Sequence, residues 1–455
     1  MNVSSEGRID FVDVKYVPLD QVNHEKHTLR LGDVLFNNTN SPELVGKTAH
    51  YGFSEPRAFS NHMTRLRCQT DLLDPKYCAL VLHQLWRDGF FIRVCNNHVS
   101  QASVSRSVLL ETPIPVPPIA EQRRIVATVE VLLARVATAR ERLAKAPGIL
   151  KRFRQAVLAA ACSGKLTEDW RANDRIGDKG LELLDSMVDD VLSARLQRRR
   201  ANTVDLDYEP FGLPPEWTWA SVADVSVSVT DGDHQAPPKA PEGVPFLVIG
   251  NLSAGKLDFR DTAFVPQSYY DAISDDRKAR VGDILYTVTG SYGICLRVET
   301  DRPFCFQRHI ALVRPHRKMS SEFVYLSLSS PLAFQQATQV ATGIAQLTVP
   351  LSGLRALRIP VPPVHEQCEI VRRTQAILTL ADSVEYRVQA ATARAGRLTQ
   401  AILAKAFSGE LVPTEHDLAR QEGRDYVPAA EVLERIRMEG SDAGRLSGSR
   451  SRRPG

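Results

Sequence analysis

Ile114-Pro-Val-Pro-Pro-Ile-Ala-Glu-Gln-Arg-Arg-Ile-Val126 returns in the same chain as Ile359-Pro-Val-Pro-Pro-Val-His-Glu-Gln-Cys-Glu-Ile-Val371, with nine of 13 positions identical at an offset of 245 residues. A second block repeats at the same offset. Residues 152–166 (RFRQAVLAAACSGKL) and 397–411 (RLTQAILAKAFSGEL) share nine of 15 positions. The 25 residues between the blocks have diverged, yet none has been inserted or deleted. A segment that tolerates substitution but not a change of length behaves as a ruler.

The periodicity predicts that the ruler is a helix. Ile125, Val129, Leu132, Val136, Ala139, Leu143, Ala146, Leu150, Phe153, Val157 and Ala160 alternate spacings of four and three, an a/d seam over five heptads. Ile370, Thr374, Ile377, Ala381, Val384, Val388, Ala391, Ala395, Leu398 and Ile402 continue the pattern in the second copy. Each seam spans about 50 Å at the helical rise. Pro117-Pro118 and Pro362-Pro363 punctuate the start, and Ser163-Gly164 and Ser408-Gly409 the stop. Pro147-Gly148 predicts a kink or short break within the first helix.

The globular parts are duplicated too. Gly7-Arg-Ile-Asp-Phe matches Gly255-Lys-Leu-Asp-Phe, and Leu31-Gly-Asp-Val-Leu-Phe matches Val281-Gly-Asp-Ile-Leu-Tyr. Asn61-His-Met-Thr-Arg-Leu matches Arg308-His-Ile-Ala-Leu-Val, and Gln101 matches Gln346. Short β-branched stretches at 246–249, 284–288 and 310–313 read as strands among short helices. The first copy aligns from Gly7 onward, whereas residues 211–250 of the second have no counterpart. Either the start lies upstream or the first domain is truncated.

These patterns predict an α+β protein with a pseudo-two-fold internal repeat, in which two α/β domains are separated by two long antiparallel coiled-coil helices. Residues 1–118 form the first domain and 119–164 the first long helix. Residues 165–209 form a connector, with an amphipathic stretch at 181–196 and the run Arg198-Arg199-Arg200. Residues 210–363 form the second domain, 364–409 the second helix, and 410–455 a tail that is disordered at its Ser-, Gly- and Arg-rich end.

Composition narrows the function classes. A chain of 455 residues exceeds one core. A formal charge of +4 does not by itself imply nucleic acid, though a local basic face suffices for binding. The seven cysteines include no CxxC pair and no spacing suited to zinc, so no metal is expected. There is no long apolar run and no signal-like start, which predicts a cytoplasmic protein. Gly46-Lys47-Thr48 resembles the end of a P-loop, but position 41 is Ser, so the phosphate cradle is missing. No GxGxxG follows a strand, and no Asn/Asp-Pro-Pro-Tyr/Phe tetrapeptide is present, so no catalytic residue is assigned. His365 corresponds to Ala120, which argues against a duplicated catalytic histidine.

What remains suits binding. The loop at 230–239 offers Asp231, His234, Gln235 and Lys239, and the loop at 287–293 offers Thr287, Thr289, Ser291 and Tyr292. Arg308 stands near them in sequence pattern. Asn37, Asn38, Asn40 and Lys47 are the candidates of the first copy. Amides, hydroxyls and cations are the groups that pair with base edges and phosphates, although the same residues also build ordinary turns. Gln346 and Gln101 fit a local backbone cap equally well.

A domain, IPVPPxxEQxxIV, a long helix and QAxLAxAxSG, occurring twice in that order over residues 7–411, resembles the specificity subunit of type I restriction–modification systems. The resemblance implies two target-recognition domains that read an asymmetric, interrupted site in double-stranded DNA. It implies two methyltransferase subunits docked along the helices, with a motor-nuclease subunit joining for cleavage. S-adenosylmethionine is then expected on the methyltransferase, and no cofactor on this chain. Glu121, Gln122, Gln155, Glu366, Gln367 and Gln400 fall in the repeated helical motifs and are candidates for helix packing and subunit docking. Two other readings stay open: a coiled-coil protein-interaction scaffold, and a truncated specificity subunit that reads one half-site.

Overall fold

The computed structural model describes residues 3–435 and 437–438, apart from 13, 19, 21, 23, 98–100, 174–178, 196–208, 233–236 and 253–254. Two compact units emerge. One joins Met1–Ala144 to Gln389–Gly455, and the other is Lys145–Val388. The boundary falls inside both long helices, so each unit holds part of each helix.

Those helices run Ile119–Cys162 and Val364–Phe407, 44 residues each. The second starts and ends 245 residues after the first, the offset of the sequence repeat. At the helical rise each is about 66 Å long. The first is unbroken through Pro147, which corrects the expected break. Pro147 and Gly148 are exposed, and the carbonyl left without its helical donor is that of half-buried Leu143. Gly164 and Gly409 end the helices at φ 77° and 79°.

Helix pairing is antiparallel within each unit. In the first, Ile125, Val126 and Val129 pack with Leu403 and Ala406, and Arg140 Nη2 donates to Ala395 O at 3.3 Å. In the second, Arg154 Nη2 donates to Asp382 and Glu385, both at 2.7 Å, and Arg373 Nη1 to Leu166 O at 3.0 Å. Numbers rise along one helix as they fall along the other. The buried apolar side chains contribute roughly 1.5–3 kcal/mol each, more than the part-exposed ion pairs at about 0–1 kcal/mol. The expected seam holds at Ile125, Val129, Leu150, Val157, Ile370, Thr374, Ala381 and Ala395, all buried. It departs at Phe153 and Leu398, 42% and 44% exposed, while Ala161 and then Thr399, Leu403 and Ala406 are buried instead. A helix of 3.6 residues per turn drifts by about 20° per heptad against a 3.5-residue stripe.

The second unit holds a four-stranded antiparallel sheet ordered Ser226–Asp231, Ile310–Pro315, Ile284–Thr287, Cys295–Arg297. Val244–Leu247 pairs antiparallel with Ala263–Val265 and parallel with Cys305–Phe306. Thr218–Ser221 pairs with Arg358–Val361, the strand that leads into the second long helix. Helices Ser321–Leu328, Pro331–Val340 and Leu351–Ala356 cover the sheet, and Phe323, Val324, Leu328 and Ala337 join its core.

The first unit repeats the centre of this plan. Val34–Asn37 lies between Thr48–His50 and Met63–Leu66, under helix Pro75–Arg87. The counterparts of Ser226–Asp231 and Thr218–Ser221 are absent among the described residues. The sequence carries the consequence. Ile310-Ala-Leu-Val313 is a continuous apolar run, fully buried because it has a strand on each side. Its partner Met63-Thr-Arg-Leu66 is half-buried and charged, as an edge strand should be. The connector helix runs Gly180–Arg195. The arginine run at 198–200 and the tail from 439 lie outside the described residues.

Candidate nucleic-acid interface

The repeated Gly-Asp motif anchors each sheet. Gly32 and Gly282 turn at φ 90° and 91°. The aspartates that follow are buried and accept from the backbone: Asp33 Oδ2 from Arg30 N at 2.8 Å, Asp283 Oδ2 from Arg280 N at 2.9 Å. Each is neutralised by an arginine, Arg314 on the neighbouring strand and Arg67 just past its end. Arg67 Nε donates to Asp33 at 2.8 Å, and Arg314 reaches Asp283 through Nε at 3.0 Å and Nη2 at 2.8 Å. The Asp33 hydrogen bond raises the Arg67 pKa. A buried carboxylate is tolerable only with such pairing.

This anchor sets three loops side by side. In the second unit, Val288 N–H donates to His309 O at 2.9 Å and Val349 N–H to Val288 O at 2.8 Å. Gly290 N–H donates to Leu347 O at 2.9 Å, and Thr289 bridges Thr348. The 307–310 turn, the 287–293 loop and the 342–348 loop are therefore adjacent ribs. The first unit repeats the ladder: Asn38 N–H donates to His62 O at 3.0 Å, Val104 N–H to Asn38 O at 2.9 Å, and Thr39–Asn40 pairs with Ala102–Ser103. Two domains of different sequence thus present the same rack of loops.

The ladder turns several candidates inward. Thr287 is fully buried, its Oγ1 donating to Ser291 O at 2.7 Å and accepting from Ile294 N at 2.9 Å. Asn37 takes the same place in the first unit, with Nδ2 donating to Leu44 O at 3.3 Å. Asn38 Nδ2 is held by Asn61 O and Thr64 Oγ1 at 3.2 and 3.0 Å. Lys47 is buried, and burial lowers its pKa against the opposing charge of Glu6. Asp231 is buried with Arg277 Nη2 at 3.7 Å, and Thr289 is 7% exposed. These residues shape the loops, which revises their expected role as contacts. Ser291, Arg308 and Lys239 are exposed. Tyr292 is half-buried, stacked on Phe334 at 5.6 Å with its hydroxyl 3.1 Å from Thr338 Oγ1. Asn40 is half-buried and its Oδ1 accepts from Ser41 N at 2.8 Å. His234 and Gln235 lie outside the described residues. The 342–348 loop belongs to the same surface but carries no polar motif that singles it out in the sequence.

The Glu-Gln pairs take the packing role expected of them. Gln122 and Gln367 are fully buried. Gln122 accepts from Asp74 N at 2.8 Å and donates to Leu72 O and Pro117 O at 2.7 and 2.8 Å. Gln367 accepts from Ser320 N at 2.9 Å and donates to Pro362 O at 2.9 Å. Asp74 and Ser320 are the N-caps of equivalent helices, so each glutamine bolts its domain to the long helix that follows. The glutamates grip the segment after the other long helix. Glu121 Oε2 accepts from Glu415 N at 2.7 Å. Glu366 accepts from Thr167 Oγ1 at 2.7 Å, from Trp217 Nε1 at 2.8 Å and from Arg171. All four are buried within this chain. Gln155 and Gln400 are exposed on the helices. Among the described residues no His/Cys/Asp/Glu group could hold a metal ion, and no helix is long and apolar enough to cross a membrane.

Residues 4–146 match the family model described as the type I restriction modification DNA specificity domain. The chain is 29% identical to the EcoBI type I restriction enzyme specificity subunit of Escherichia coli, over 93% of this chain and 88% of that one. It is 27% identical to the EcoKI specificity subunit of Escherichia coli strain K12, over 99% of this chain and 90% of that one. The StySPI specificity subunit of Salmonella potsdam is 28% identical over 99% and 90%. Two solved structures share the fold over 90% of this chain. A chain of a type I R-M system superposes with a TM-score of 0.62 at 22% identity, covering 90% of that chain. The HsdS subunit of Thermoanaerobacter tengcongensis gives 0.54 at 23%, covering 88%.

Proposed function

We propose that this chain, which belongs to the family of type I restriction–modification specificity subunits, reads a bipartite, asymmetric site in double-stranded DNA with its two loop racks. As a specificity subunit it is a DNA-recognition component and not itself a catalyst. On this reading the 287–293 and 307–310 loops address one half-site and the 37–41 and 61–62 loops the other. Arg308, Lys239 and Ser291 supply the exposed cation and hydroxyl groups suited to phosphates and base edges. The long helices set the distance between the half-sites. Two methyltransferase subunits dock along the helices' exposed faces, where Gln155 and Gln400 lie. Motor-nuclease subunits complete a cleaving complex. S-adenosylmethionine is carried by the methyltransferase, and the assembly works in the cytoplasm.

The observation that carries this reading is the equality of the two 44-residue helices, offset by 245 residues at both ends, beside loop racks that share a ladder but not a sequence. Recognition needs different readers at a constant spacing. The test is to purify the chain with the methyltransferase encoded beside it and map methylated adenines genome-wide. A motif of two unlike halves with a fixed gap is expected, and a contiguous motif or none overturns the reading. A protein-only scaffold is separated by gel shift, because phosphate contacts make affinity fall steeply with salt.

One observation favours a narrower reading. Among the described residues the edge strand Met63–Leu66 lacks the partner that Ile310–Pro315 has, so the first rack stands on a smaller sheet. If only the second rack discriminates bases, the mapped motif has one specified half.

A further inference from the structure

We propose that the 342–348 loop is a reading finger of the second domain, on which Ile344 contacts the 5-methyl group of a thymine in the major groove. The proposal rests on the reading of this chain as a DNA-specificity subunit. The loop closes on itself, with Thr342 N–H donating to Thr348 O at 2.8 Å and Thr348 N–H to Thr342 O at 2.7 Å. Gly343 makes the turn at φ 112°, where a Cβ would stand 2.4 Å from the Gln346 carbonyl. The loop is braced sideways as well. Gly290 N–H donates to Leu347 O at 2.9 Å, and the Gln346 amide lies where a Cβ on Gly290 would come within 2.9 Å of its nitrogen. The Gln346 side chain thus lies close over the neighbouring rib at Gly290.

At the tip Ile344 has a relative exposure of 105%, the highest of any large apolar side chain among the described residues. Scattered exposed apolar residues are ordinary. A β-branched one held on a glycine-turned loop, closed and braced by three backbone hydrogen bonds, is a stiff probe that folding alone leaves unrewarded. The rib it is bonded to at Gly290 carries the exposed Ser291, and the next rib, bonded at Val288 to His309, carries the exposed Arg308. A surface that pairs a hydroxyl and a cation with one projecting aliphatic group matches the major groove. There the thymine methyl is the apolar feature of the base edges, beside hydrogen-bonding groups and phosphates.

The test uses the complex with its methyltransferase and duplexes carrying the mapped site. Each thymine in turn is replaced by deoxyuridine, which removes the methyl group and nothing else. Wild type should lose about fourfold in affinity at one position of one half-site, the value of one buried methyl group. Ile344→Ala should bind the thymine and uracil duplexes equally at that position and match wild type elsewhere. Thermal unfolding at the wild-type temperature confirms that the exposed substitution leaves the fold intact. Identical thymine-to-uracil profiles for the two proteins overturn the finger while leaving bipartite recognition standing. A wild-type complex without sequence preference overturns both.

Discussion

Gln122 and Gln367 show how much of this chain's logic sits in single side chains. Each amide uses its acceptor and both donor positions or nearly so, and each is fully buried where a domain meets its helix. Gln367→Leu keeps the volume but strands Ser320 N–H and Pro362 O, at roughly 1–3 kcal/mol for each group left unpaired. Urea unfolding should show a lower midpoint of that size, and an unchanged midpoint would mean that the bolt carries no stability. His83 offers a pH signature. Its Nδ1 accepts from Thr48 N at 3.3 Å, so Nε2 carries the proton given to Ser5 O at 3.1 Å. Burial pushes its pKa from 6.5 down to about 4, against the opposing hydrogen bond to Ser5. The folded state holds it neutral while the unfolded chain protonates near pH 6.5. Its stabilisation is therefore full above pH 6.5 and is lost as pH falls toward about 4, on the order of 3 kcal/mol in all. His83→Gln should flatten the stability–pH curve in that window. An equally steep curve would place the titration elsewhere.

The helices and strands were the legible elements. The 3.5-residue spacing, the proline pairs and the terminal glycines are local signals, and they predict both long helices close to their observed ends. The strand Ile310–Pro315 was legible from its apolar run Ile310–Val313, whereas the half-buried Met63–Leu66, with Thr64 and Arg65 inside it, gives no such run. The drift of the seam was not, because it accumulates over heptads. Pro147 does not interrupt the helix, for a different reason. A proline break is a tendency of about 3 kcal/mol, which flanking turns can absorb. Pro147→Ala should accordingly stabilise the protein by up to about that amount, and Gly148→Ala, whose added Cβ meets nothing closer than Arg152 at 4.0 Å, by about 1 kcal/mol. Thermal unfolding checks both, and a lower unfolding temperature for either would show that the irregular turn is required. The loops resisted reading because Thr287, Asn37 and Ile344 are ordinary turn or apolar residues by type. Which faces inward is decided by ribs that come from distant parts of the chain.

At the scale of the whole molecule, the account is one of unequal freedoms. The parts that hold are kept at constant length and bolted by repeated glutamines and glutamates. The parts that read share a ladder and differ in their tips. On the proposed reading the gap between half-sites is a property of helix length and not of any loop. Removing one heptad from each long helix keeps the seam in phase and shortens each helix by about 10 Å. The most direct measurement maps the methylated motif of that doubly shortened protein, in complex with its methyltransferase, beside the wild-type motif. The account predicts the same two half-sites separated by a shorter gap, by at most about three base pairs at the rise of duplex DNA. The same half-sites at the original gap would contradict it.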